Sequence, residues 1–278
     1  MKKLRLAGAV VVTLLVVFAA RYFGPNRSYR VETAVDGVRL SHEAPRSHTG
    51  EGPAVLRLEV KGEGTTPVRV VLATRIQGTE TWTTRPPARE EAAPGGGKGK
   101  VLVFEVPHQP PTTRVYYRFE ARAGDGPPVM LERRPGEPMM VKFKDPVPAW
   151  VVAPHVLCMF GGFFFLVWSA FLLVFRSPDD PPGAAVRPAR LAWLIMFLGG
   201  VPFGIAMNWY AFHVYWEAFP FGKDVTDNKT QVALVVWGAA ALFLAKTKGE
   251  GKASRAFAVA MALIVLAVYL IPHSAQVG

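Results

Sequence analysis

The sequence predicts an α+β protein with segregated parts: an N-terminal membrane anchor, an antiparallel β-sandwich outside the cytoplasm, and a C-terminal four-helix transmembrane bundle. Three observations lead there. Long apolar runs occupy both ends of the chain, period-two alternation fills residues 29–144, and lysines and arginines cluster in short stretches beside the runs. The expected divisions are residues 1–25, 26–148 and 149–278.

The apolar runs come first. Leu6–Phe23, Trp150–Phe175, Leu191–Phe212, Val232–Ala245 and Ala256–Ile271 are five candidate spans, since a helix needs about 20 largely apolar residues to cross the hydrocarbon core. The first has two readings. Three positive charges ahead of a short apolar stretch, with Ala19 and Ala20 behind it, describe a cleavable signal peptide. Arg21, Tyr22 and Phe23 instead resemble the interface end of a retained signal-anchor.

The formal net charge of +11 is unevenly placed. Residues 26–148 carry a net of only +4, whereas the segments 1–5, 176–190 and 246–255 together carry +7. Basic residues beside spans mark cytoplasmic loops. That distribution reports topology and argues against a nucleic-acid partner. It places residues 26–148, the 213–230 loop and the C-terminus outside the cytoplasm of a multi-pass protein of a cell inner membrane. The partner this implies directly is the lipid bilayer. The single cysteine, Cys158, lies within a span, so no disulfide frames the external part and the CxxCH pattern of covalent c-type haem is absent.

Between the first and second spans the period changes to two. Tyr29–Val35, Ala54–Val60, Val68–Leu72, Val101–Glu105, Val115–Arg122 and Met139–Phe143 read as strands, with Val115, Tyr117, Phe119 and Ala121 on one face of the clearest. Gly62-Glu-Gly64, Gly124-Asp-Gly126 and Pro135-Gly136 punctuate them, which suggests about seven short strands. Residues 86–100, PPAREEAAPGGGKGK, read as a loop by composition. On Val106-Pro107 and the VYYRFEARAGDG of Val115–Gly126, residues 28–145 resemble an immunoglobulin-like or fibronectin type III-like module, without the Cys–Trp–Cys set of true immunoglobulin domains. The resemblance implies a β-sandwich and no particular activity. His42, His48 and His108 are expected at loops and strand ends, without special roles. The plain reading is a module that docks a protein partner.

The helical half offers candidate ligands. His155 starts the second span, His213 ends the third and His273 ends the fifth, all at the same rim. Glu217 follows His213 by four residues and would share its face if the helix continued. Asp224 and Asp227 occupy the same loop. Imidazoles and carboxylates converging from several helices suit Zn, Cu, Fe or Mn. Two histidines suit haem, and His213 or Glu217 beside aromatic rings suits a quinone. The competing reading assigns each residue a local task. Trp209, Tyr210, Phe212, Tyr215, Trp216, Phe219 and Phe221 form an interfacial aromatic girdle. Asp227 or Thr226 caps the fourth span, whose positive end Asp224 and Asp227 complement. No charged residue lies mid-bilayer in the last four spans and Asn208 is the only strongly polar group deep in the third, which argues against a transporter.

The expected function is accordingly non-catalytic: an accessory or scaffold component of an envelope complex, working through its external sandwich. One alternative is a redox or sensory protein holding a metal ion or haem through His155, His213 and His273. Another is a membrane metallo-enzyme with Glu217 as general base.

Overall fold

The computed structural model describes residues 2–22, 28–93 and 99–271 of the 278-residue chain. They divide into two compact units, Asn26–Pro146 and the combination of Met1–Pro25 with Val147–Gly278.

The first unit contains two sheets. One is antiparallel throughout and runs β1 (Tyr29–Val35), β2 (Val38–Ala44), β4 (Ala54–Lys61), β8 (Gly99–Val106), β7 (Arg89–Ala92). The other runs β3 (Ser47–Thr49), β11 (Met139–Lys144), β9 (Arg114–Ala123), β5 (Val68–Ile76), β6 (Thr83–Arg85), and β10 (Val129–Leu131) also pairs with β9. The β3–β11 pair is parallel. Asp36 and Gly37 close the β1–β2 hairpin, both at positive φ, the backbone that a two-residue turn between right-twisted strands requires. Asp36 also accepts hydrogen bonds from Thr65 Oγ1 and from both the hydroxyl and the N–H of Thr66, which hold its carboxyl below the usual aspartate range.

The alternation in β9 is realised as written. Val115, Tyr117, Phe119 and Ala121 are buried, and they join Leu40, Leu56, Leu58 and Phe104 of the facing sheet in one core. The Phe104 and Phe119 rings lie 5.2 Å apart across it. Strands exceed the expected number because several are short or exposed. β7 lies inside the stretch expected to be a loop: Arg89–Ala92 pairs with β8 along an exposed edge, where no apolar face is needed.

His42 also departs from expectation. It lies within β2, 1 % exposed, not at a strand end. Its Nδ1–H donates to Arg57 O at 2.7 Å, and its Nε2 accepts from the Tyr117 hydroxyl at 3.0 Å, so the neutral imidazole is fully used. Burial is the main cause that lowers its pKa to about 4, against smaller opposing effects of the Arg57 carbonyl and Glu43. The unfolded chain therefore takes up this proton first as the pH falls. Stability contributed by neutral His42 is complete above about pH 6.5 and is lost as the pH drops towards 4, by roughly 3 kcal/mol in all. We expect amide protection of Leu56–Leu58 in the intact protein, corrected for intrinsic exchange rates, to fall over that window. His42→Gln should flatten the fall. An unchanged slope in the variant would show that another group titrates.

The second unit is helical. It comprises α1 (Lys2–Tyr22), α2 (Ala149–Val174), α3 (Val186–Leu198), a π-helical turn (Gly199–Phe203), α4 (Gly204–Phe212), α5 (Val225–Thr247) and α6 (Lys252–Leu270). With α3, the turn and α4 counted as one helix, Val186–Phe212, five helices among the described residues are long and apolar enough to cross a membrane. The π turn sits at Gly199-Gly200 and Pro202; the missing N–H of Pro202 and its ring disturb the α-helical ladder there.

Packing between these helices uses small residues and indole donors. A Cβ on Gly162 of α2 would lie 2.9 Å from the Met196 nitrogen of α3, so only glycine permits this approach. Trp237 of α5 donates to Ala189 O of α3 and Trp193 of α3 donates to Leu234 O of α5, each at 3.0 Å. These reciprocal bonds fix the pair in register. Tyr269 of α6 donates to Met159 O of α2 at 2.9 Å.

α1 belongs to this packing. Ala9 and Val16 enter the helical core, and Arg5, 3 % exposed, forms a two-pronged ion pair with Asp180. Nη2 reaches Oδ1 at 2.8 Å, and Nη1 bonds Oδ2 and also Phe175 O, the latter at 3.3 Å. The Ser177 N–H completes the Asp180 carboxylate at 2.8 Å.

Candidate functional site

The candidate ligands fall on α2, α4 and the segment joining α4 to α5. α4 stops at Phe212. His213 takes a left-handed conformation (φ 58°, ψ 29°), and its N–H donates to Trp209 O at 2.9 Å. The shared helix face expected for His213 and Glu217 therefore does not form. His213 stacks instead on Trp209, at 5.7 Å between ring centroids, and Trp209 stacks on Tyr215 at 4.7 Å. Tyr215, Phe219 and Phe221 are exposed.

The connecting segment is held on the first turn of α5. Asp224 is the N-cap: its Oδ1 accepts from the Thr226 and Asp227 N–H groups at 2.8 and 3.0 Å. The cap expected at Asp227 or Thr226 thus lies two or three residues earlier, at Asp224, which frees Asp227 for another task. Asp227, 5 % exposed, accepts from Asn208 Nδ2 on both oxygens, at 3.1 and 2.9 Å, and from the Glu217 backbone N–H at 2.7 Å. The Asp224 N–H donates to Glu217 O at 2.9 Å, so Glu217 contributes its backbone while the residue as a whole remains exposed. Asn228 Oδ1 accepts from the Phe219 N–H at 2.9 Å, and Gln231 Nε2 donates to Phe219 O at 3.1 Å. Lys229, 8 % exposed, donates to Ile271 O just beyond α6. Asp227 ties the ends of α4 and α5 to the loop between them, and Lys229 separately ties the start of α5 to the end of α6.

His155 serves the π turn. Its Nδ1–H donates to Gly199 O at 2.9 Å, joining α2 to the distorted segment of the third span. His273 lies outside the described residues. Among the described residues, no group of three His, Cys, Asp or Glu side chains is arranged to hold a metal ion. What the arrangement does chemically is satisfy buried polar groups at a helix junction, where an unpaired donor is costly.

Sequence reasoning singled out Asn208 and Asp227 separately but not their contact. It also missed Lys229 as a buried donor and Arg5 with Asp180 as a pair. Polar residues at apolar helix ends were the available signal; their partners are distant in sequence.

A second feature lies on the outer face of the sheet containing β5, β6 and β9. The Arg118 guanidinium sits 4.5 Å from the Trp82 ring centre, and Arg75 sits 5.2 Å from Trp82 and 5.5 Å from Tyr116. Arg118 is positioned by Glu120 at 3.0 Å and Glu132 at 3.4 Å. All four residues of this cluster are half-buried. The chain matches no protein-family model and no curated protein sequence.

Proposed function

We propose that this chain is an accessory or scaffold component of an envelope complex, anchored in a bacterial-type inner membrane by its five apolar helices. In this reading the β unit stands outside the cytoplasm as an immunoglobulin-like module and docks a protein partner. The basic flanks of the helices support the orientation, and the packing of α1 into the helical unit supports a retained first helix.

The observation that carries the docking role is the Arg75–Trp82–Tyr116–Arg118 cluster. Trp, Tyr and Arg are the residues enriched where association energy concentrates, because they combine large apolar area with directed polar contacts. Here both guanidinium groups stack on Trp82, and Arg118 is held by Glu120 and Glu132, so little side-chain freedom remains to be lost on association. The other sheet presents a different surface, an exposed mesh of Arg30, Glu32, Glu59, Arg89 and Glu91 ion pairs, each of small energetic weight.

The test is crosslinking and affinity purification of the full chain from its own membranes. Trp82→Ala is expected to weaken recovery of a specific partner about 30-fold, corresponding to roughly 2 kcal/mol. Arg39→Ala, on the other sheet, should leave it unchanged. Equal recovery by the wild type and Trp82→Ala would overturn the assignment of this face.

A further inference from the structure

The helical unit contains a cavity of about 500 Å³ at the start of α1, between α1, α2 and the turn leading into α3. Its volume falls within the range of small-ligand sites. Lys3, Arg5 and Arg187 line it with positive charge, and Leu6, Leu172 and Trp168 line it with apolar surface. Among the described residues Asp180 is the only acidic group in the lining, and Arg5 and the Ser177 N–H engage its carboxylate. The cavity therefore combines an excess of cations with an apolar wall.

Both halves of that combination have a structural cause. Arg5 is buried and fixed by Asp180 and Phe175 O, so a positive centre is built into the wall. Its Nε is buried without a hydrogen-bond partner among the described residues, so the ion pair does not use all of its donors. Lys3 and Arg187 are exposed at the opening, free to fold onto an arriving anion. Leu6, 43 % exposed, continues the apolar wall onto the outer surface of α1. Lys3, Arg5 and Arg187 come from the basic flanks of the first and third spans, which belong at the level of lipid headgroups.

We propose that this cavity binds an anionic phospholipid, with its phosphate between Lys3, Arg5 and Arg187 and an acyl chain along Leu6, Leu172 and Trp168. A phosphate group is the ligand chemistry. A diacyl anchor is favoured over free phosphate because the cationic wall passes directly into an apolar one. The inference rests on the membrane-spanning reading of the helices but not on the docking role of the β unit.

The test uses the purified full chain in a mild non-ionic detergent, titrated with dioleoyl phosphatidylglycerol or dioleoyl phosphatidylcholine and followed by native mass spectrometry. Phosphatidylglycerol is expected to be retained about tenfold more strongly than phosphatidylcholine. Lys3→Ala with Arg187→Ala should remove most of that preference. Both side chains are exposed, so thermal melting without added lipid should match the wild type. Lys223→Ala, in the α4–α5 segment, should retain the preference. Equal retention of the two lipids, or an unchanged preference in the double variant, would overturn the proposal. Displacement of phosphatidylglycerol by millimolar inorganic phosphate would overturn the lipid assignment and identify a free-phosphate site.

Discussion

Asp180→Ala is expected to destabilise the helical unit by about 3–5 kcal/mol, because it leaves the buried Arg5 guanidinium without its counter-charge. Taking a charge out of water is costly; the two-pronged contact with Asp180 supplies the counter-charge that offsets it, and the Phe175 carbonyl adds a single neutral acceptor. The Ser177 N–H would lose its acceptor as well. Denaturation of the full chain in detergent should show the loss, and proteolysis should release α1 first, since the pair ties that helix to the turn before α3. Arg5→Leu combined with Asp180→Leu should recover much of the stability, since an apolar replacement of both partners avoids burying any charge. If Asp180→Ala changes stability by less than about 1 kcal/mol, water must reach the pair and its burial contributes little.

That pair marks the limit of what the sequence disclosed. Lys2, Lys3 and Arg5 were legible as a basic flank, and Asp180 as one of two acids in a basic loop. Nothing in local periodicity joins residues 175 positions apart. Local order was far easier to read. β9 alternates cleanly, and its buried face is the one the pattern predicts. β2 was hidden because Ser41 and His42 stand at buried positions and interrupt the apolar period. β7 was hidden because an exposed edge strand made of Arg, Glu and Ala has no apolar period to reveal. α5 begins at Val225 rather than near Val232 because its first turn is polar, satisfied by the Asp224 cap and the Asp227 network rather than by lipid.

The candidate site shows the same division. Trp209 and Tyr215 occupy a stacked cluster at the end of α4, in keeping with an aromatic concentration there. The four-residue spacing of His213 and Glu217 suggested a shared face, but that inference needs an intact helix. His213 ends the helix in a left-handed conformation more often supplied by Gly or Asn, so its identity gave little warning. His155 was legible as polar in an apolar run, whereas its acceptor, Gly199 O, depends on a π turn that hydropathy cannot reveal.

Asp227→Ala should have the second large effect, for a reason different from that of the Arg5 pair. Asp227 provides two oxygens to the Asn208 amide and the Glu217 N–H; an alanine leaves both donors without that acceptor. At about 1–3 kcal/mol for each stranded donor, the cost is roughly 2–6 kcal/mol, less whatever water recovers. The loss should concentrate at the joint of α4, α5 and their connection, because the Asp224 cap and the Trp193 and Trp237 bonds remain. Hydrogen exchange should therefore rise first at Glu217–Asp224 and only later along the rest of α5. Asp227→Asn separates acceptor loss from shape change. Its remaining oxygen, at the position of Oδ2, can still accept from Glu217 N and Asn208, while its new NH₂ faces the Asn208 amide where Oδ1 stood at 3.1 Å. The asparagine variant should lie between wild type and alanine. If alanine and asparagine behave alike, charge rather than acceptor geometry holds the joint; if exchange rises uniformly over the helices, Asp227 supports the whole unit rather than this junction.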